Sequence, residues 1–257
     1  PSSAAFMTAL TILNKESSLK IKKVGLNPRR TGFYRLLKKH GAKITFKNLK
    51  TINNETIGDI YIKSSKLKPI KSGENYYAST ADEYPLLFIL AGLTPGISEF
   101  KGIADLANKE SNRIEEVKKI LKRIGIKSKS TKNSIMIFGT NKIQNKTINI
   151  PNLGDHRICM CALILSLITG IKTNIKNFET VKTSSPSFLD IIKSLGGNFE
   201  IKKKYKIVIA ADGSAASGKT TGSKLISKKY KLKFLSSGLL YRYAAYKLLI
   251  KKPKNEI

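Results

Sequence analysis

Acidic residues are scarce in this chain. Seventeen Asp and Glu face 48 Lys and Arg, a formal charge of +31 over 257 residues. Such an excess points to anionic partners, either nucleic acid or small phosphorylated molecules. Arginine is scarce too: 41 of the 48 basic residues are Lys and 7 are Arg. Readers of grooves and phosphate backbones favour Arg for its bidentate fork. The excess is also spread out, with 36 basic and 15 acidic residues in 1–205 and 12 and 2 in 206–257. No separate basic arm emerges, so a nucleic-acid interface is disfavoured and most of the charge is expected on solvated faces.

Cysteine is nearly absent. Cys159 and Cys161 are two apart on an apolar helix and point to different faces. With no CxxC pair they make no metal site, and no metal ligand set is expected. Buried thiols in a reducing cytoplasm are the expectation. The longest apolar run, 158–171, includes polar residues and is too short to span a bilayer. No signal-peptide pattern is present, so a cytoplasmic protein without membrane contact is expected. The chain opens on Pro1 rather than Met, which suggests a cut or processed start. A hydrophobic fraction of 41% is enough for a packed core, in one large domain or two smaller ones.

Residues 1–205 read as a repeat. Three segments share one order: apolar helix, short strand, loop, second helix, Gly, strand. The first helices are expected over 3–13, 84–93 and 156–169, and the strands after them over 19–24, 97–100 and 172–175. The second helices end in LLKKHGAKITF (36–46), ILKRIGIKSKS (120–130) and IIKSLGGNFEI (191–201). In each phrase a Gly suits a left-handed helix C-cap. Additional strands fit 58–63 and 134–138. The pattern predicts an α/β lobe of three repeated units about a pseudo-threefold axis.

The repeat places the reactive-looking side chains at helix N-termini, where partial positive charges favour anions. Lys109-Glu110-Ser111-Asn112-Arg113 is read as the opening of a helix, with Lys109 and Arg113 sharing a face. It is either a binding turn or an exposed charged one. Asp155-His156-Arg157 precedes the most apolar helix. There Asp155 reads as an N-cap, and Arg157 either meets a partner or reaches solvent. His156 alone is more often structural. Asp82 is a cap or a carboxylate base.

A phosphate-binding loop stands apart from these. Gly213-Ser214-Ala215-Ala216-Ser217-Gly218-Lys219-Thr220 fits G-x-x-x-x-G-K-[ST]. In this pattern backbone N–H groups cradle phosphates, the Lys reaches the outer phosphates and the hydroxyl binds Mg²⁺. A strand over 206–211 and a helix over 220–230 supply its context. Only two βα steps fit before Ile257, fewer than a doubly wound sheet needs. A truncated P-loop α/β segment is therefore expected over 206–257, with the boundary in the basic stretch 202–205.

Taken together, PSSAAF (1–6), LNPRRTG (26–32), ADEYP (81–85), NKESNR (108–113), DHRICM (155–160) and TSSPSFLD (183–190) resemble, in this order, the C-terminal lobe of the EPSP synthase family. The specific parts are K-E-[ST]-[DN]-R, with Asn112 where Asp is usual, and D-H-R. The resemblance implies transfer of an enolpyruvyl group from phosphoenolpyruvate to the 5-hydroxyl of shikimate 3-phosphate, without a cofactor. It implies Asp82 as the carboxylate that takes the hydroxyl proton and Glu110 as the acid for the methylene. Lys109, Arg113, His156 and Arg157 would bind substrate. The cell-wall enolpyruvyl transferases, which share the fold, match these phrases less well.

Residues 206–250 resemble the start of bacterial cytidylate kinase, through IVIAADGSAASGKTT (207–221) and FLSSGLLYR (234–242). That likeness implies ATP and Mg²⁺ at Gly213 to Thr221. It places CMP or dCMP near Ser237, Tyr241 and Arg242, with Ser236 replacing a usual Asp. Three functions follow. The first is an enolpyruvyl transferase lobe fused to a kinase start and inactive by itself. The second is a nucleotide kinase as the principal activity, and the third a basic nucleic-acid binder.

Overall fold

In the computed structural model, which describes residues 1–202, 209, 211, 217–230 and 232–251, the repeat is built around its first helices. These are α1 (Ser2–Leu13), α3 (Tyr84–Gly92) and α5 (His156–Thr169). Each touches the other two. All nine residues of α3 are buried, as are residues 158–165 of α5. A helix that is apolar all round can lie only where neighbours cover every face, which is the centre of the lobe. Hydroxyls buried with α1 are satisfied locally: Thr8 and Thr11 donate to the carbonyls of Ala4 and Met7.

The second helices, α2 (Gly32–Lys39), α4 (Arg113–Arg123) and α6 (Phe188–Ser194), each follow a short 3-10 turn: Pro28–Arg30, Ala104–Asn108 and Phe178–Thr183. Each is closed by a glycine at positive φ, Gly41 (96°), Gly125 (83°) and Gly196 (86°), where a side chain would be strained.

The sheets carry the same order. In unit one, β1 (Ser18–Gly25), β2 (Lys43–Ile52) and β3 (Glu55–Lys63) form a sheet in the order β1-β3-β2, all pairs antiparallel. Asn53 and Asn54, both at positive φ, make the two-residue turn of the β2–β3 hairpin. In unit two, β5 (Gly96–Lys101), β6 (Lys127–Ser130) and β7 (Ser134–Gly139) repeat this as β5-β7-β6. A further strand, β4 (Lys71–Ser72), runs parallel to β5 on its outer edge. In unit three, β8 (Ile148–Ile150) pairs parallel with β9 (Thr173–Ile175), as β4 does with β5. The lobe is thus α/β with three repeated units, as expected.

The expectation fails at two points. Residues 197–201, expected as a strand after α6, form none. A strand needs a neighbour for its backbone groups, and among the described residues β9 pairs only with β8. Conversely, β4 and β8 were not anticipated, because two or three residues are too few to show a period.

The described residues fall into two compact parts, Pro1–Phe199 and Glu200–Ile257. The second contains α7 (Lys219–Tyr230) and α8 (Ser237–Lys251). Gly213, Ser214, Ala215 and Ala216 lie outside the described residues. So does the expected strand over 206–211, apart from Ile209 and Ala211. No helix among the described residues is long and apolar enough to cross a membrane.

Candidate active site

The three units of the lobe meet at Asp82, in the 3-10 turn Ala81–Glu83 that leads into α3. Its carboxylate lies among three guanidinium groups. Arg157 Nη2 donates to Oδ2 at 3.2 Å. Arg30 Nη2 is 3.8 Å from the same oxygen, and Arg113 Nη1 is 3.9 Å from Oδ1. The two longer approaches are charge contacts rather than hydrogen bonds. Each repeat contributes one arginine: Arg30 ends the turn before α2, Arg113 is the first residue of α4, and Arg157 is the second of α5. The starts of α4 and α5 and the turn before α2 thus converge on one carboxylate.

A second carboxylate fixes two of these arginines. Asp155 is fully buried and caps α5, its Oδ1 accepting from the backbone N–H of Arg157 (2.9 Å) and Ile158 (3.4 Å). Its Oδ2 accepts from Arg113 Nε at 3.0 Å and from the Ser111 hydroxyl at 2.9 Å. Burial alone would raise the Asp155 carboxyl, but the hydrogen bond and charge of Arg113, with Ser111 and the Arg157 N–H, hold it below its ordinary value. Arg113 has only 2% of its side chain exposed. It gives Nη2 to Glu110 at 2.6 Å. Its Nη1, and Nε of Arg157, are buried without a hydrogen-bond partner. Buried donors left without a partner are costly and call for an explanation.

His156 begins α5 half-buried. Burial, then the neighbouring Arg157 charge, lowers its imidazole from its ordinary value, which favours the neutral ring. Glu83, behind Asp82, is buried; burial raises its carboxyl against a hydrogen bond from Ser2 and the charge of Arg157. Cys159 and Cys161 are buried, and burial pushes the Cys159 thiol up to about 11, which suits inert core thiols.

Of the residues singled out in the sequence, Asp82, Glu110, Arg113, His156 and Arg157 come together. Lys109 requires a correction. It does not share a helical face with Arg113, because Asn112 caps α4 by accepting from the Glu115 N–H and the helix begins at Arg113. The extended backbone at Lys109 sends its ammonium to Asp105 at 2.6 Å, a carboxylate also bound by the Tyr77 hydroxyl. Two members of the cluster were missed: Arg30 and the bridging role of Asp155. Arg30 had a signal, since PRRTG precedes α2 where SNR begins α4.

In the second part, Lys219 begins α7 and Gly218 precedes it at φ 79°. Ser217, Thr220 and Thr221 are exposed. Ser237 opens α8, along which Tyr241 and Arg242 are exposed.

Three guanidinium groups, two of them with unused buried donors, can grip a small multivalent anion. Asp82, at their centre and partly exposed, can accept a proton from a hydroxyl brought against it. Residues 1–192 match the family model of EPSP synthase (3-phosphoshikimate 1-carboxyvinyltransferase), and residues 209–255 match that of cytidylate kinase. A 3-phosphoshikimate 1-carboxyvinyltransferase of Petrotoga mobilis is 37% identical over 194 residues, covering 76% of this chain and 45% of the relative. That of Aquifex aeolicus is 36% identical, covering 75% and 45%. Among solved structures, EPSP synthase from Acinetobacter baumannii superposes with a TM-score of 0.69 at 32% identity, over 79% of this chain and 46% of that one. The enolpyruvyl transferase NikO from Streptomyces tendae, at 13% identity and a TM-score of 0.57, shares the fold. The chain spans less than half the length of the curated relatives it matches. With its family model matched over 1–192 and the repeat and arginine cluster built on those residues, the chain belongs to the EPSP synthase family.

Proposed function

We propose that the lobe serves enolpyruvyl transfer from phosphoenolpyruvate to the 5-hydroxyl of shikimate 3-phosphate, with release of phosphate. The observation that carries this is the pair of buried, unpartnered donors, Arg113 Nη1 and Arg157 Nε, in guanidinium groups that flank Asp82. Arg113 and Arg157 hold the phosphate and carboxylate of phosphoenolpyruvate. Glu110, bound to Arg113, delivers a proton to the methylene carbon. The 5-hydroxyl oxygen adds to the adjacent carbon while Asp82 takes its proton. Phosphate then leaves carrying the proton held by Asp82, while the new methyl group returns one proton to Glu110, which leaves the enol ether and restores both carboxyl groups. His156, neutral, lends a hydrogen bond to the substrate. Lys109 can reach a substrate phosphate only by leaving Asp105.

The test is phosphate release from the two substrates by a full-length protein that carries this lobe. Asp82→Ala is expected to lower kcat by about 10²–10⁴-fold, the range of a positioned base. A change within a few-fold would reject the role of Asp82. In the chain itself, phosphoenolpyruvate should shift the amide resonances of residues 110–113 and 155–158. Loss of that response in Arg157→Ala is the expected outcome.

A second activity is favoured by the match at 209–255. That segment would bind ATP with Mg²⁺ through its glycine loop, Lys219, Thr220 and Thr221, and CMP or dCMP near Ser237, Tyr241 and Arg242. Magnesium would supply charge neutralisation at the phosphates. The check is ATP binding that Lys219→Ala abolishes while the phosphoenolpyruvate response survives.

A further inference from the structure

Four carboxyl groups share the arginine cluster, one more than it has guanidinium groups. Arg157 and Arg30 attend Asp82, at 3.2 and 3.8 Å. Arg113 attends Asp155 and Glu110, at 3.0 and 2.6 Å. Three cations thus match three carboxyl groups. The fourth is Glu83, which follows Asp82 and ends its turn. Only 4% of Glu83 is exposed, and among the described residues it enters no ion pair. Its polar partner is the Ser2 hydroxyl, which donates to it and accepts from Arg30 Nη2 at 3.4 Å.

A buried carboxylate without a cation is costly, and protonation removes that cost. The other three are placed differently. Asp82 and Glu110 have side chains 41% and 48% exposed, while Asp155, though buried, accepts four hydrogen bonds. The charged groups that act on Glu83 come from several elements. They are Arg30 before α2, Arg157 on α5, Asp82 on its own turn and the Pro1 amine before α1; Tyr34 of α2 also lies in its field. Burial is the strongest influence and raises the carboxyl, while Ser2 and Arg157 oppose it. An anion held by Arg113 and Arg157 adds a like charge and draws off the arginine that favours the ionised form. Both changes favour a proton on Glu83.

We propose that Glu83 is a switchable counter-ion of the cluster: ionised beside the empty site, it takes one proton from solvent when a phosphate- or carboxylate-bearing anion enters, so that anion and proton bind together. The proton goes to a carboxylate oxygen, and the Ser2 hydroxyl can turn to accept from the new acid. The negative charge gathered in the cluster is thereby reduced by one. The proposal rests on the reading that phosphoenolpyruvate enters here, and not on the proton transfers given to Asp82 and Glu110.

The test is calorimetric titration of the chain with phosphoenolpyruvate, in buffers of unlike ionisation enthalpy, from about pH 5 to about pH 9. Glu83→Gln keeps the shape and the Ser2 contact but cannot take the proton. Protons that the ligand itself exchanges are common to both proteins, so their difference reads Glu83. At its maximum the wild type should take up about half to one proton more than Glu83→Gln. In that window its affinity relative to the variant should fall with rising pH, by up to about tenfold per unit. Ser2→Ala removes a hydrogen bond to the ionised form and should move the window to higher pH. Equal uptake in the wild type and Glu83→Gln would overturn the proposal and leave phosphoenolpyruvate binding intact. Uptake that survives Glu83→Gln but vanishes on acetylation of Pro1 would assign the proton to the amine, and overturn it too. No binding at any pH would overturn both the proposal and the reading beneath it. If Glu83→Gln does not fold, Ser2→Ala decides, and a window that stays in place overturns the proposal.

Discussion

Helices α3 and α8 are both rich in large apolar residues, yet they live in different surroundings. Every residue of α3 is buried among α1, α4, α5 and β7. Along α8, Leu239, Leu240, Tyr241 and Leu249 are exposed, Tyr241 by 77%. Apolar content therefore does not determine burial; neighbouring elements do. The same holds for the two candidate sites. The glycine loop is the sharper motif in the sequence. The lobe's charged residues are weak signals one by one, but three helix starts bring them to a single carboxylate. A site is built by convergence, and a motif is only a condition for it.

The largest expected effects separate the two helices. Phe88→Ala in α3 removes a fully buried ring that packs on Phe100 at 5.0 Å, and should cost the lobe about 3–5 kcal/mol. Tyr241→Ala in α8 should stay within about 0.5 kcal/mol, as surface substitutions do. Urea titrations followed by exchange of the α5 amides read both. Equal losses would erase the distinction between built and unbuilt parts. At the arginine cluster, Asp155→Ala strands the buried Arg113 and Ser111 and leaves α5 uncapped, for a loss of about 3–5 kcal/mol. Ser111→Ala, which removes one neutral donor, should cost about 1 kcal/mol. If Asp155→Ala cost no more than Ser111→Ala, the bridge between α4 and α5 would be incidental.

Much of the lobe was legible because helix and cap signals recur. Each second helix is closed by a glycine, and the apolar runs of α1, α3 and α5 are long enough to show their period. The rest was hidden for physical reasons. Strand β4 is two residues long and exists only because β5 offers its edge. Arg30 sits in a loop, where no period marks it, and its relation to Asp82 arises only when the units pack. Lys109 was misread because an i,i+4 argument presumes a helix, and Asn112 delays that helix to Arg113. The kinase-like loop was plain as a pattern, yet half of it falls outside the described residues.

Acid should act on the lobe and spare helices α7 and α8, since residues 217–251 contain no Asp or Glu. Asp59 is lowered to about 2, first by the Asn48 amide, then by the Lys23 N–H and the Lys20 ammonium. Asp155 is also lowered. A carboxyl depressed in the folded state adds stability above its ordinary value near 4, and loses it as pH falls through the folded value. The lobe should therefore weaken progressively from about pH 4 towards pH 2. Asp59→Asn should flatten part of that slope while leaving the remainder to Asp155. An unchanged slope would mean that Asp59 is not held by Asn48 and Lys23 in solution.

The smallest expected effect tests the position where the sequence departs from its family's usual pattern. Asn112 caps α4 through its side-chain oxygen, bonded to the Glu115 N–H at 3.1 Å. Asn and Asp serve equally as caps, so the usual carboxylate is not needed for the helix to start. Asn112→Ala should cost about 1 kcal/mol, the value of a lost cap. Asn112→Asp keeps the hydrogen bond and sets a negative charge at the helix N-terminus, a gain of about 0.3–1 kcal/mol. If position 112 acts only as a cap, Asn112→Asp should leave phosphoenolpyruvate binding unchanged while stability rises. A change in binding at constant stability would place residue 112 in the site beside Arg113.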